Sequence, residues 1–245
     1  MSARRLRVVG VTGGIGAGKS TLCRLLQERF QAESLDADAF GHDALRAGTT
    51  VYEALVARFG EESLGPDRAL SRSYLAKIVF ADDEARRDLE KIVHPWILDG
   101  IVARVAALRA SNYEGIFLLE AALLLDWVER RSDSDSDPDD AIPGHTLRGV
   151  PEEDLRVDGI VVVTAPLEQR LERLARRGLT EAEALARVRA QRSDLEWIGA
   201  GDWVVQNSGS RQALTKAADQ LWSEIRAAWP ASARRNEVRP DEGSG

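Results

Sequence analysis

Cysteine is almost missing from this chain. Cys23 is the single one among 245 residues, so no disulfide can form within the chain and a reducing compartment is expected. Long apolar runs are missing too. The longest, Ile116 to Val128, is broken by Glu120 and Asp126 and is too short to span a bilayer. Met1 to Arg7 carries three arginines with no long apolar stretch behind it, unlike a secretory signal. These absences point to a cytoplasmic protein with no membrane partner. An excess of one charge sign is missing from the body as well. The formal charge is −7, but Ser132 to Asp154 alone holds eight acidic residues against Arg148, and the remainder balances at 32 basic and 32 acidic. The body therefore gives no electrostatic reason to expect nucleic acid. No internal repeat is present. What remains, 44% apolar and 30% charged, is the make-up of a globular chain able to bury one substantial core with a lid or small subdomain.

The strongest positive signal is Gly13-Gly14-Ile15-Gly16-Ala17-Gly18-Lys19-Ser20, followed by Thr21. It fits the phosphate-loop pattern G-x-x-x-x-G-K-[ST] in the setting that pattern needs. The apolar run Leu6 to Val11 before it reads as a buried strand, and Leu22, Leu25, Leu26 and Phe30 after it fall at helical spacing. Glycines let the backbone turn its N–H groups inward on phosphate oxygens, and the helix N-terminus adds partial positive charge. Lys19 suits the β- and γ-phosphates, and the Ser20 hydroxyl suits Mg²⁺. The spacing predicts a nucleoside-triphosphate site.

Downstream, Glu33 to Leu35 predicts a second strand ending in Asp36-Ala37-Asp38. In an open parallel sheet both carboxylates would face the crevice beyond the strand ends. Either could be a general base and the other could hold Mg²⁺ through water; equally, Asp38 could cap the following helix. Helices are expected over 40–45, 50–59 and 71–80, then from the acidic start Asp82-Asp83-Glu84 to Val93. His94-Pro95 is expected to break that helix, with another from Trp96 to Leu108. His94 by itself reads as a helix-end residue or a substrate contact. Ser132 to Asp154, rich in Ser, Asp, Pro and Gly, reads as a flexible acidic loop unable to pack a core. Ile160 to Val163 is a central strand, and Thr180-Glu181-Ala182-Glu183 a capping box. Seven arginines between Leu167 and Arg192 suggest phosphate ligands on a helical hairpin. A last strand, Trp203 to Val205, a closing helix from Gln212 to Trp229 and a disordered polar tail from 230 complete the chain.

With these residues in view the chain resembles the dephospho-coenzyme A kinases over about Val8 to Leu221, the acidic segment excepted. Thr12 to Thr21 is similar to that family's phosphate loop almost letter for letter, and Asp36-Ala37-Asp38 to its D-A-D. His42, Gly48, Phe59-Gly60, Arg72, Leu75, Val79-Phe80, Leu89-Glu90, His94-Pro95 and Asn207 with Gly209 fall at the family's spacing. The resemblance implies an α/β phosphate-loop kinase, residues 1–229, with a mainly parallel five-stranded sheet flanked by helices. It implies a helical coenzyme A subdomain over 64–111, a lid over 167–192, an insertion at 132–154 and a tail at 230–245. It also implies transfer of phosphate from ATP, with Mg²⁺, to the ribose 3′-hydroxyl of dephospho-coenzyme A. Catalytic roles then go to Asp38 as base, Lys19 and Arg176. ATP would be bound by Gly13 through Thr21 and Asn207, the second substrate by Asp38, His42, Arg72 and His94, and the metal by Ser20 and Asp36. Three places depart from the family's pattern. Ala122-Leu123-Leu124-Leu125-Asp126 stands for P-L-L-F-E, Ser132 to Asp154 is inserted, and in the lid Arg177 replaces an acidic or amide residue while Arg173 reads as one residue off the expected arginine. A kinase for another small molecule, or a nucleotide-binding regulatory module without chemistry, would share the loop; neither accounts for both the helical region and Asp38.

Overall fold

The computed structural model describes residues 6–131, 142 and 144–229. The acidic run at 133–140 and the tail from 230 lie outside the described residues. Packing divides the chain into two compact units, one formed by Met1–Leu35 with Ala107–Gly245 and the other by Asp36–Ala106.

The first unit is built on a five-stranded sheet in the order β2-β3-β1-β7-β8. Its strands are β1 (Arg7–Thr12), β2 (Glu33–Asp36), β3 (Ile116–Glu120), β7 (Gly159–Thr164) and β8 (Trp203–Gln206). β1 pairs parallel with β3 and β7, and β7 parallel with β8. Central parallel strands are covered on both faces, which is why β3 and the Ile160–Val163 run have no polar alternation and are fully buried. On one face lie α1 (Lys19–Phe30) and α10 (Arg211–Ala228). Leu22, Leu25 and Leu26 of the first and Leu214, Leu221, Trp222 and Ile225 of the second share a core with Val9, Val11, Leu118, Val161 and Val163. Phe30 stacks on Trp222 at 4.8 Å. The hairpin α7 (Leu167–Ala175) and α8 (Glu181–Arg189) follows β7, and the expected capping box on Thr180 and Glu183 is formed. A further helix, α9 (Asp194–Ala200), has a second capping box on Ser193 and Glu196.

The segment read as a loop is partly folded. β4 (Val128–Arg130), after the short α6 (Leu124–Trp127), pairs antiparallel with β5 (His145–Leu147), and β5 with β6 (Arg156–Val157). His145, Leu147 and Leu155 are buried there. The acidic run dominates the composition and hides these apolar residues. Next to them Asp158 is paired with Arg7 at 3.0 Å and Arg156 at 3.1 Å, with Asp158 and Arg156 buried and Arg7 partly so. Asp158 also accepts the Val8 amide, fixing β6 against β1.

The second unit is helical: α2 (Ala37–Ala44), α3 (Thr50–Phe59), α4 (Arg72–Ala81) and most of α5 (Asp83–Ala110). It takes in α2 and α3 as well as the 64–106 region, because Phe40 stacks on Trp96 and Gly41 admits Ile97 to close contact. His94-Pro95 does not end a helix: Pro95 lies inside α5, which runs unbroken. An interior proline costs about 3 kcal/mol. Against that, Val93, Ile97, Ile101, Val105 and Leu108 form one buried stripe at spacings of four and three, and a break would turn half of it out of register. Burial of each is worth roughly 1.5–3 kcal/mol, so the stripe outweighs the proline. Among the described residues no helix is long and apolar enough to cross a membrane.

Candidate active site

The loop between β1 and α1 starts from a buried strand end, where the Thr12 hydroxyl donates to the Ala121 carbonyl at 2.8 Å. Gly18 is the residue before α1, with φ +105° and no side chain to cap the helix. A Cβ there would be strained by the positive φ and would land on the Asn207 amide. The helix start is thus left without a side-chain cap, which suits an anion.

Every carbonyl from Gly13 to Gly18 accepts a hydrogen bond from the protein. Lys19 Nζ donates to Gly13 O at 2.9 Å and Gly14 O at 3.5 Å. Arg170 Nε donates to Ile15 O at 2.9 Å. Arg173 Nη1 donates to Gly16 O at 3.1 Å and Ala17 O at 3.0 Å, and Asn207 Nδ2 to Ala17 O at 2.8 Å. Gly18 O takes the amides of Thr21 and Leu22. With its oxygens tied down by side chains and helix, the loop presents N–H groups to an anion without competing lone pairs. Lys19 is buried beneath this arc. The Ser20 hydroxyl donates to Glu120 Oε1 at 2.6 Å, a buried carboxylate at the end of β3.

Beside the loop opens a cavity of about 440 Å³ lined by Gly16, Gly18, Thr21, Arg24, Glu28, Arg173, Arg176, Arg177, Asn207, Gly209 and Arg211, with Leu25 and Leu214 as apolar walls. Five guanidinium groups against one carboxylate, Glu28, around one cavity match a polyphosphate, and the two leucines add apolar contact. Arg176, exposed at the end of α7, pairs with Glu172 at 2.6 Å. Burial lowers the pKa of the Arg170 and Arg173 guanidinium groups below their ordinary value, opposed by Asp194 and Glu172 respectively.

The structure therefore brings Gly13 to Thr21, Asn207 and Arg176 to one place. Asn207 acts as a buttress of the loop as well as a wall of the cavity. Arg173, read from the sequence as one residue off the expected arginine, bonds the Gly16 and Ala17 carbonyls. The remaining sequence-predicted residues belong to the helical unit. Asp36 ends β2 and caps α2, its Oδ1 accepting the Ala39 amide at 2.9 Å. The cap is thus Asp36 and not Asp38, which lies in the first turn of α2. The chain bends into the helix between them, so the strand alternation expected of the pair does not hold. His42 lies in the last turn of α2, Arg72 opens α4, and His94 is inside α5.

Glu120, Arg170, Gln191 and Arg211 were not singled out by the sequence. An acidic residue closing a buried strand next to the loop strand was the available signal for Glu120. Arg170 stood only among the arginine surplus of the hairpin. For a divalent ion, Ser20 and Glu120 offer the hard oxygen ligands that Mg²⁺ takes. Among the described residues no group of three or more His, Cys, Asp or Glu could hold a metal by itself, and Mg²⁺ draws its other ligands from phosphate and water.

Comparison with known proteins follows from this geometry. A family model described as dephospho-CoA kinase matches residues 7–130 and 152–213, leaving 131–151, most of the segment read as inserted, between the two matched stretches. The chain is 36% identical over 220 residues to a dephospho-CoA kinase of Geobacter sulfurreducens, covering 89% of this chain and 98% of that one. It is 38% identical over 227 residues to a dephospho-CoA kinase of Anaeromyxobacter dehalogenans, covering 90% and 93%. Among solved structures, a Thermus thermophilus protein superposes with a TM-score of 0.63 at 31% identity, covering 90% of this chain and 98% of its own. The dephospho-CoA kinase of Campylobacter jejuni, at 23% identity and a TM-score of 0.57 over 90% and 98% of the two chains, shares the fold.

Proposed function

The chain belongs to the dephospho-CoA kinase family, and we propose that it transfers the γ-phosphoryl group of ATP to the ribose 3′-hydroxyl of dephospho-coenzyme A, giving ADP and coenzyme A. The observation that carries this reading is the tethering of every loop carbonyl from Gly13 to Gly18, which leaves an amide-lined turn beside an arginine-walled cavity. Lys19 and the loop amides neutralise the β- and γ-phosphates, where charge grows in the transition state. Ser20, with Glu120 behind it, would hold Mg²⁺. That ion would offset the negative charge of the phosphates. On the family resemblance, Asp36 would hold the ion through water. Arg176, with Arg177, closes over the phosphates from the hairpin, here read as a lid, and excludes water. Following the family resemblance, Asp38 accepts the proton of the acceptor hydroxyl, and His42, Arg72 and His94 hold dephospho-coenzyme A. An ATP-consuming enzyme with one cysteine fits the cytoplasm.

The test is acceptor-dependent ADP release with dephospho-coenzyme A, AMP and shikimate compared at equal concentration. Turnover with dephospho-coenzyme A and none above background with the other two supports the reading. A preference for AMP or shikimate makes the chain a different small-molecule kinase, and acceptor-independent hydrolysis makes it a regulatory nucleotide-binding module.

A further inference from the structure

One residue of the phosphate loop, Ile15, has the peptide before it and the peptide after it each held by a side chain from the hairpin or the turn that follows it. The Ile15 amide donates to Gln191 Oε1 at 2.7 Å, and the Ile15 carbonyl accepts from Arg170 Nε at 2.9 Å. Arg170 then closes the ring: Nη2 reaches the same Gln191 oxygen at 3.4 Å and Nη1 reaches Asp194 Oδ1 at 3.2 Å. Arg170 stands on α7, Gln191 follows α8 and Asp194 opens α9, so three helices meet at the loop tip. The Arg170 side chain is only 6% exposed, and a Cβ on Gly14 would collide with its guanidinium. A surface arginine placed for solubility would be neither buried nor in a planar fork spanning a carbonyl, an amide oxygen and a carboxylate.

We infer that Arg170 and Gln191 are positioning residues that hold the two peptides flanking the Ile15 Cα in the orientation the loop needs before nucleotide arrives. Both hydrogen-bonding groups of Ile15 are spent on this clamp, so Ile15 is not a phosphate ligand itself; it is the fixed point from which the following amides are aimed. Without the clamp the loop must be ordered when phosphate binds, and that ordering is charged against affinity. Because ADP and ATP both present a β-phosphate to the loop, both should lose affinity alike. Once nucleotide has ordered the loop, the transfer step proceeds as before. The inference rests on the reading of the loop as an ATP site and refines it.

The experiment is equilibrium binding of ADP and of ATP to the full chain, by calorimetry, alongside kcat with dephospho-coenzyme A at saturating ATP. Gln191→Met keeps the volume but removes the acceptor; Gln191→Glu restores an oxygen at the same place. Arg170→Lys keeps the charge and loses the fork. Gln191→Met and Arg170→Lys should each weaken ADP and ATP about tenfold, with kcat within about threefold. Gln191→Glu should recover most of the affinity, and the double variant should lose little more than the worse single one, since both act on one residue and touch each other. Unchanged affinity in Gln191→Met, equal losses in Gln191→Met and Gln191→Glu, or fully additive losses would overturn the clamp. So would a fall in kcat at unchanged affinity, which would put these residues at the transition state instead. If Arg170→Lys does not fold, the two Gln191 variants decide alone. ADP binding needs no acceptor, so a chain that binds ADP but leaves dephospho-coenzyme A unphosphorylated counts against the proposed reaction and not against the clamp.

Discussion

Asp36 and Asp38 are two residues apart in sequence and should fail in different ways when changed. Asp36 caps α2 through the Ala39 amide at 2.9 Å, and loss of such a cap costs roughly 0.5–2 kcal/mol. For a chain of this size about 1 kcal/mol lowers Tm by roughly 2–4 °C. Asp36→Ala should therefore melt a few degrees lower, and Asp36→Asn, which still caps, should melt with the wild type. Asp38 lies one turn-position inside the same helix and does not cap it. As the base it is worth roughly a hundred- to ten-thousandfold in kcat, or about 2.7–5.4 kcal/mol of barrier. Asp38→Asn keeps shape and removes the proton acceptor, so kcat should fall by that order with ATP affinity and Tm close to wild type. The assay is steady-state ADP release, nucleotide calorimetry and a melting curve on all three variants. Near-normal turnover in Asp38→Asn, with Asp36→Asn inactive at unchanged ATP affinity, would refute the assignment and make Asp36 the base.

Arg176→Lys keeps the charge at the cavity edge but loses the planar fork, so kcat should drop about tenfold or more with little change in ATP KM; a rise in KM alone would mean uniform binding. Glu120→Gln keeps an oxygen for the Ser20 hydroxyl and removes the charge, so the Mg²⁺ concentration giving half-maximal rate should rise several-fold while Tm holds, and superimposable Mg²⁺ titrations would contradict the metal assignment. Burial lowers the pKa of the His145 imidazole from its ordinary 6.5, with Asp202 raising it and Arg130 lowering it. The unfolded chain then binds the extra proton first, so the stability tied to neutral His145 is complete above about pH 6.5 and is lost as pH falls below it. Melting curves from pH 7.5 to 5.5 should show Tm falling more steeply in the wild type than in His145→Gln, and parallel curves would refute this.

The sequence exposed those features whose cause is local. The turn from Gly13 to Thr21 is legible because Gly13, Gly16 and Gly18 sit at positive φ and Lys19 and Ser20 follow at the spacing phosphate chemistry needs, and the Thr180–Glu183 box because both partners lie within one turn. The unbroken α5 was not legible from Pro95, since the local rule for proline favours a break and only the buried stripe from Val93 to Leu108, completed by tertiary packing, overrides it. β5 was hidden by the acidic composition before it, although His145 and Leu147 alternate inward at spacing two. Asp38 was equally readable as cap or base until the structure gave the cap to Asp36. The clamp of Arg170 and Gln191 joins positions about 150 residues and more from the loop in sequence, and no spacing rule connects them.

The most direct test of the account is the identity of the phosphorylated product. ATP, Mg²⁺ and dephospho-coenzyme A incubated with the full chain and followed by ³¹P nuclear magnetic resonance should show one new phosphomonoester on the ribose 3′-oxygen, growing in step with ADP. Phosphate on another atom, or ADP accompanied only by inorganic phosphate, would contradict it.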